Sequence, residues 1–378
     1  MNLKPFDEPV YVTRPFLPPL QEYMDGLRAI WDSAWLTNGG PVLAQYLRAL
    51  EEYLGHANLC LFVNGTLALQ IALEGLRLKG EVITTPFTFA ATAHAAWWSR
   101  LRPVFVDIEP DYYTLDPAAV EAAVTPETCA ILAVHVFGHP CRLEALADVA
   151  RRHHLKLIYD AAHAFGVKIQ GQSIAHFGDV TMFSFHATKP YHSIEGGLLA
   201  FADPSLNATF SQLKNFGIVS EHEIAGLGTN AKMNEFQALM GLKVLPHMGT
   251  ITAARARVAG VYRERLSSVA GLRLPPPLPP ECNAAYAYQP VEILEGQSRL
   301  SRDAVRERLK GYNVFARRYF YPLLTECSLY RDARRGGDLP VARRTAQQIL
   351  TLPIYHDLSL DSVHRICDML EHLMAGTS

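Results

Sequence analysis

The 378-residue sequence lacks several features that would place it in a specialised class of protein. It has no uninterrupted apolar run of the roughly 18 residues that a membrane-spanning helix needs. Its first twenty residues contain charges and prolines where a signal peptide would have an apolar segment. The formal net charge is −2, which does not favour nucleic acid or an acidic membrane surface as a partner. We therefore expect a cytoplasmic protein that binds neither.

Cysteine spacing excludes a further class of site. No CxxC pair occurs, so a structural zinc site has little support and no metal is expected. In a cytoplasmic protein, scattered cysteines are typical of free thiols that pack as small apolar residues. The six cysteines are Cys60, Cys129, Cys141, Cys282, Cys327 and Cys367.

Short apolar runs alternate with amphipathic segments over the first two thirds of the chain. This alternation predicts an α/β fold with a mostly parallel sheet that is covered by helices on both faces. The predicted helices lie at 20–36, 41–55, 64–76, 88–99, 116–124 and 141–153. The predicted strands lie at 60–63, 81–86, 103–108, 129–136, 155–160, 180–185 and 197–202.

The pattern changes near residue 244. A long helical stretch at 244–262 is followed by the proline-rich segment 272–283, which cannot lie inside a helix. Beyond it, a strand-like segment at 287–294 precedes a helical one at 301–311. We expect a large domain at 1–244, which includes an extended N-terminal arm, and a smaller α+β domain at 245–378.

Polar and small residues follow the predicted strands, and such sheets bind ligands at the carboxyl ends of their strands. Asn64-Gly65-Thr66 follows the first strand, and Phe89 lies just beyond the second. Asp160 ends the strand at 155–160. Lys189 comes soon after the run at 180–185, and no other lysine both follows such a run and precedes a glycine pair. These groups are expected to converge on one edge.

The set supplies what a pyridoxal phosphate site requires. The cofactor needs a lysine amine for a Schiff base, for which Lys189 is the candidate, and a carboxylate against its ring nitrogen, for which Asp160 is the candidate. Helix-start amides near Gly65 suit a phosphate, and an aromatic side chain such as Phe89 suits the ring face. Taken singly, the residues around Gly65 also fit an ordinary helix cap, and Phe89 also fits a core. A nicotinamide enzyme would instead show GxGxxG after the first strand, and the sequence there does not.

Several segments, in order along the chain, resemble the DegT/DnrJ/StrS family of sugar aminotransferases from about residue 8 to the C-terminus. The resemblance implies the aspartate aminotransferase-like architecture called fold type I, with a seven-stranded sheet. It also implies pyridoxal 5'-phosphate as cofactor, with pyridoxamine phosphate as its intermediate form. The segments are NGTLAL, EVITTPFTFAAT, VFVDIEP, YDAAHAFG, FSFHATK and GTNAKMNEFQALMG.

The resemblance also implies roles for residues at the cofactor ring. Lys189 matches the lysine that binds the cofactor and moves protons, and Asp160 matches the carboxylate that faces the pyridine nitrogen. His163 matches a residue near the ring oxygen, and Phe89 matches the aromatic residue that stacks on the ring. His163 also fits a hydrogen-bonded structural histidine. Relatives with histidine in place of the lysine are dehydratases, so Lys189 favours transamination.

A second group of matches concerns the cofactor phosphate. Gly65, Thr66 and Ser184 match phosphate ligands, and Asn230 matches an asparagine that reaches the phosphate from the neighbouring subunit. The resemblance therefore implies an obligate homodimer with shared active sites.

The implied reaction transfers an amino group from an amino acid, expected to be L-glutamate, to a nucleotide-linked keto-6-deoxysugar. The expected substrate is dTDP-4-keto-6-deoxy-D-glucose, which gives dTDP-4-amino-4,6-dideoxy-D-glucose for O-antigen, another glycan or a natural product. The alternatives are a 3-aminotransferase acting on a dTDP-3-keto-6-deoxyhexose and a non-catalytic regulator with the same fold. Lys214, Arg318 and Tyr319 lie in segments suited to the nucleotide and its diphosphate, and these segments also fit ordinary domain packing.

Overall fold

The computed structural model describes residues 3–375 of the chain. The seven strands of its central sheet are ordered β2-β10-β9-β6-β5-β3-β4. Strand β10 runs antiparallel to its two neighbours, whereas the other adjacent pairs are parallel. The prediction of a mostly parallel seven-stranded sheet is confirmed. The strands are β2 (Leu59–Phe62), β3 (Glu81–Thr84), β4 (Arg102–Phe105), β5 (Thr128–Val134), β6 (Lys156–Asp160), β9 (Val180–Ser184) and β10 (Gly197–Phe201).

Helices cover both faces of this sheet, so its strands are almost entirely buried and read as continuous apolar runs. Two short antiparallel pairs extend from the large unit: β7 (Lys168–Ile169) with β8 (Gln172–Ser173), and β11 (Ile218–Ser220) with β12 (Glu223–Ile224). The helices are α1 (Leu20–Ser33), α2 (Pro41–Leu54), α3 (Gly65–Gly75), α4 (Ala90–Trp98), α5 (Pro117–Ala123), α6 (Leu143–Arg152), α7 (Leu206–Leu213) and α8 (Glu235–Val244).

The remainder of the chain builds a second core around a three-stranded antiparallel sheet, ordered β13-β14-β16. Val258, Tyr262 and Leu266 are four residues apart, so they lie on one face of α9. This face packs into the second core. The elements are α9 (Met248–Leu266), β13 (Leu272–Arg273), β14 (Gln289–Ile293), α10 (Arg302–Gly311), β15 (Val314–Phe315), α11 (Pro340–Gln348), β16 (Ile349–Leu352) and α12 (Leu360–Ala375).

The two cores share elements. Met248 and Ile251 at the start of α9 pack into the large core, and so do Ala342 and Ala346 of α11. The boundary between residues 244 and 245 therefore stays a prediction. No helix within residues 3–375 is long and apolar enough to cross a bilayer.

The N-terminal arm crosses from the second core to the first. Its strand β1 (Val10–Tyr11) pairs in parallel with β15. Further along, the ring of Phe16 lies 5.0 Å from the rings of both His247 and His356. The Nε2 atom of His192 donates to the carbonyl oxygen of Phe16 at 2.6 Å. The arm thus contacts the loop that follows Lys189.

Candidate active site

A cavity of about 430 Å³ opens at the carboxyl ends of the central strands. Because β2, β3, β6 and β9 run in the same direction, the residues that follow them meet at this edge. The predicted residues that line it are Gly65, Thr66, Phe89, Asp160, His163, Ser184, Lys189 and Tyr319.

Asp160 is the buried carboxylate of this cavity. It ends β6 and is 5% exposed. Its Oδ2 accepts a hydrogen bond from Thr92 Oγ1 at 2.8 Å, and its Oδ1 accepts one from the Ala162 amide at 3.1 Å. Burial raises the pKa of Asp160, although these two donors and the Lys189 charge act in the opposite direction. A cationic ring nitrogen at this carboxylate would favour its ionised form further.

Lys189 provides an amine with a perturbed pKa. Its Nζ atom donates to the Tyr288 hydroxyl at 3.4 Å. Burial lowers the pKa of Lys189 to about 8, opposed by Asp160 and Tyr319. A larger fraction of the amine is therefore neutral near neutral pH than for an exposed lysine, and the neutral form is the nucleophile.

The loop that carries Lys189 is held at both ends. Two backbone hydrogen bonds join its ends as in a hairpin. The Ala187 amide donates to the Ile194 carbonyl at 2.8 Å, and the Ser193 amide donates to the Phe185 carbonyl at 2.9 Å. At Gly197, a Cβ atom would overlap the backbone carbonyl of Asn64. The glycine therefore allows β10 to lie against the start of α3, which brings the lysine loop and that helix together.

The start of α3 forms the opposite end of the cavity. Asn64 caps the helix, and its Oδ1 accepts from the Leu67 amide at 2.8 Å. The first amides of a helix have no intrahelical partner, which suits them to bind phosphate. Gly65 begins this turn, and a Cβ there would lie 3.0 Å from the Ser184 Cβ. The missing side chain lets Ser184 lie beside these amides.

His163 and Phe89 border the space between these two ends. His163 is buried, and its ring is stacked 5.9 Å from that of Phe320. Burial and, to a smaller extent, the Lys189 charge lower the pKa of His163, so the imidazole is neutral. Its Nδ1 atom has no hydrogen-bond partner within the described residues. Phe89 precedes α4, lines the cavity and is 62% exposed, so its side chain is accessible to a ligand.

Three predicted site residues lie elsewhere. The Nζ of Lys214 donates to Cys60 Sγ and to the Leu61 carbonyl, both at 3.2 Å, and it borders a separate cavity of about 270 Å³. Arg318 pairs with Asp303 at 3.3 Å. Asn230 is exposed, and its Oδ1 accepts from Lys232 at 3.0 Å.

Arg317 and Tyr288 are two of the lining residues that the sequence analysis did not identify. Arg317 lines the cavity and donates to the Tyr319 hydroxyl at 3.1 Å. Side chains alternate along extended backbone, so assigning Tyr319 to the site also indicates Arg317 rather than Arg318. Tyr288 also lines the cavity, but it belongs to the segment before β14, and no local spacing relates it to Lys189.

This set of groups fits pyridoxal phosphate. It combines a partly buried amine, a buried carboxylate, a helix start and a buried imidazole nitrogen that has no hydrogen-bond partner among residues 3–375. Within residues 3–375, no group of three or more His, Cys, Asp or Glu side chains could hold a metal ion.

A sequence model of the DegT/DnrJ/EryC1/StrS aminotransferase family matches residues 20–371. The chain belongs to this family. That membership confirms the predicted family, aminotransferase activity and pyridoxal phosphate dependence.

Individual relatives extend this finding over nearly the whole chain. A dTDP-4-amino-4,6-dideoxy-D-glucose transaminase of Shigella dysenteriae is 40% identical, over 97% of this chain and 100% of its own length. The Escherichia coli enzyme of the same name is also 40% identical, over 96% of this chain and 98% of its own length. The crystal structure of DesI in the presence of its TDP-sugar product superposes with a TM-score of 0.94 at 37% identity, covering 99% of this chain and 95% of that one.

Proposed function

We propose that the chain transfers the amino group of L-glutamate to dTDP-4-keto-6-deoxy-D-glucose and forms dTDP-4-amino-4,6-dideoxy-D-glucose. The observation that carries the chemistry is the Lys189 amine, which borders the same cavity as the buried carboxylate of Asp160. The choice of sugar is supported by the two transaminases that are 40% identical over nearly their full lengths.

The lining suggests how the cofactor would be held. Lys189 would bind it covalently, Asp160 would face its ring nitrogen, and His163 would contact its ring oxygen through the unpartnered Nδ1. Phe89 would cover the ring. The phosphate would lie at the start of α3, where Gly65, Thr66 and Ser184 meet. The bound cofactor supplies an electron sink for the carbon that loses a proton.

The chain's own residues would then perform the proton transfers. Burial lowers the pKa of Lys189, so a larger share of its amine is neutral and would be able to accept a proton from the amino donor. The same amine returns a proton when the ketosugar is the acceptor, since the two half-reactions are the reverse of each other in chemistry. Asp160 would stabilise a positive charge at the ring nitrogen, and its burial would strengthen that interaction by excluding water.

The nucleotide sugar would contact the rim of the cavity. Tyr319 and the neighbouring Arg317 line it and join an aromatic ring to a guanidinium group, which suits a diphosphate. Lys214 and Arg318 do not line this cavity, and their head groups bind the partners described above. They would therefore contact only a part of the substrate that extends outside the cavity.

We also propose a homodimer with shared active sites. Asn230 lies outside the cavity of its own chain, so a phosphate contact by this residue requires a second copy. Apolar side chains are exposed on α1, at Trp31 for example, and on the segment that includes Ile224 and Leu227. A second copy would cover such surfaces.

Location and pathway are proposed on more general grounds. The six cysteines all lie within the described residues and are free thiols, which is typical of a reducing compartment such as the cytoplasm. The product would enter the biosynthesis of an O-antigen, another glycan or a natural product.

The experiment that tests the function supplies L-glutamate and each of two sugars, the dTDP-4-keto and dTDP-3-keto 6-deoxyhexoses. We expect turnover of the 4-keto sugar, with the new nitrogen located at C4 by NMR. Nitrogen at C3 would establish the alternative regiochemistry. Cofactor binding without turnover of either sugar would contradict the proposal and favour a regulator.

A further inference from the structure

Tyr288 lies directly beside the amine of Lys189. Its hydroxyl is 3.4 Å from the Nζ atom, and that atom is 5.6 Å from the centre of the Tyr288 ring. Within residues 3–375, Tyr288 is the group to which this amine is hydrogen-bonded. The tyrosine comes just before β14, so a residue outside the central sheet completes the surroundings of the lysine.

Packing fixes the position of the Tyr288 ring, which is 8% exposed. The ring of His163 meets it edge-on at 4.9 Å, and the ring of Tyr319 does so at 5.3 Å. A third ring, that of Phe137, lies 5.9 Å away. Three aromatic contacts leave the hydroxyl little freedom to move away from Lys189.

The backbone before Tyr288 is anchored as well. Arg255 of α9 is 2% exposed and donates from Nε to the Tyr286 carbonyl and from Nη2 to the Ala287 carbonyl, both at 2.8 Å. A buried guanidinium that binds two successive carbonyls fixes their direction. Arg255 therefore acts as a positioning residue for the hydroxyl of Tyr288.

A phenol suits an amine that must gain and lose a proton. Its oxygen accepts a hydrogen bond from an ammonium, and its O–H donates to the lone pair of a neutral amine. Burial raises the pKa of Tyr288 to about 12, so the hydroxyl keeps its proton at working pH. A carboxylate in this place would favour the ammonium alone.

Other titratable and charged groups near the Lys189 amine also influence its protonation. Asp160 and Tyr319 favour the ammonium, although burial outweighs them. His163 is neutral, and Arg317 points into the cavity with its guanidinium beside the Tyr319 hydroxyl. Across the loop, His186 and Glu195 face each other at 3.5 Å. Replacing Tyr288 by phenylalanine leaves all these groups in place.

We propose that Tyr288 is a further catalytic residue, whose hydroxyl holds the Lys189 amine in both of its protonation states. The inference rests on the proposed amino transfer, since only a proton-shuttling lysine needs such a partner. A hydrogen bond from an ammonium is stronger than one between neutral groups. Loss of the hydroxyl therefore destabilises the ammonium form of Lys189 more than its neutral form, which lowers the pKa of Lys189.

The test compares Tyr288→Phe with Tyr286→Phe, which loses a phenol hydroxyl two residues away. For each cofactor-free protein, the rate of pyridoxal phosphate capture is followed by absorbance from pH 6 to pH 10. We expect the midpoint of the Tyr288→Phe profile to fall by about half a pH unit or more. The reconstituted variant should lose about tenfold in kcat, with KM for both substrates within about twofold. Tyr286→Phe should match the parent in both measurements.

An unchanged midpoint in Tyr288→Phe would overturn the inference, and so would a loss of kcat that follows a loss of bound cofactor. Arg255→Lys tests the positioning role of Arg255, because it keeps the Tyr288 hydroxyl but loses one of the two hydrogen bonds that anchor the backbone before Tyr288. We expect a smaller fall of the midpoint, and no fall would count against the role of Arg255. The capture assay contains no sugar, so a failure of the proposed substrate leaves its outcome unaffected.

Discussion

Replacement of Asp160 by asparagine tests the central pairing of the site. The new side chain has nearly the same size, but its single oxygen can accept from only one of the two donors, Thr92 Oγ1 and the Ala162 amide, which bond to different oxygens of Asp160. The substitution also removes the negative charge, in a place that is 5% exposed. The asparagine amide cannot hold a proton on the cofactor ring nitrogen, so the electron sink is weakened.

The size of the effect follows from burial. Removing one partner of a buried ion pair costs about 3 to 5 kcal/mol. Each 1.36 kcal/mol changes a rate about tenfold, so kcat/KM should fall roughly 150- to 5,000-fold. Thr92→Val removes a neutral donor to the same carboxylate and should cost about tenfold. The larger loss of kcat/KM in Asp160→Asn than in Thr92→Val is as informative as the size of either loss.

The assay measures the glutamate half-reaction by the change in cofactor absorbance and then measures turnover with the 4-keto sugar. Asp179→Asn is the matched control, because Asp179 lies at the opposite edge of the sheet and accepts from Lys156 Nζ at 2.6 Å and from the Leu157 amide at 2.9 Å. It should keep parental activity. An Asp160→Asn protein with more than a tenth of parental kcat/KM would refute the pairing.

Three further outcomes are expected. Lys189→Ala should leave no cofactor covalently fixed after borohydride reduction, whereas Lys214→Ala should behave like the parent; equal trapping in both would assign the anchor to another lysine. Mixing inactive Lys189→Ala and Asn230→Ala subunits should restore about a quarter of parental activity, because each mixed dimer regains one intact site; no recovery would place Asn230 in its own chain's site. Burial lowers the pKa of His135 to about 3, against about 6.5 when unfolded, so its contribution to stability is complete above pH 6.5 and is lost as the pH falls towards 3. Between pH 7 and pH 5 this residue should cost about 2 kcal/mol in urea unfolding, and His135→Asn should remove that part of the pH dependence; an unchanged dependence in the variant would contradict the assignment.

The alternation of apolar runs was sufficient to predict the central sheet because strands buried on both faces carry a simple signal. The ends of elements were less well predicted. The first helix was expected to reach residue 36, but it ends at Ser33 because Ala34 adopts a left-handed conformation with φ of 50°. The strand expected at 129–136 ends at Val134, and a short 3-10 helix at Val136–Gly138 follows it. Such ends depend on local backbone geometry that a hydrophobic pattern does not contain.

The same distinction applies to the site. Asp160 and Lys189 follow strands of a parallel sheet, so topology alone predicts that they lie near each other. Tyr288 reaches Lys189 only because the segment before β14 packs across the end of that sheet, a contact between residues 99 positions apart. Lys214 was assigned by its charge, but its amine donates to a thiol and a carbonyl on β2. Charge in a sequence indicates which groups exist, whereas packing decides where they point.

The N-terminal arm has a consequence for biosynthesis. Val10 pairs with Val314, so the arm leaves the ribosome long before its partner strand has been translated. The Phe16 carbonyl that supports His192 sits on the same arm. Docking of the arm must wait for nearly complete translation, which makes it a late, long-range closure step. Nascent chains halted before residue 314 should therefore have an unsecured lysine loop, and competence to take up vitamin B6 phosphate should arise near the end of synthesis.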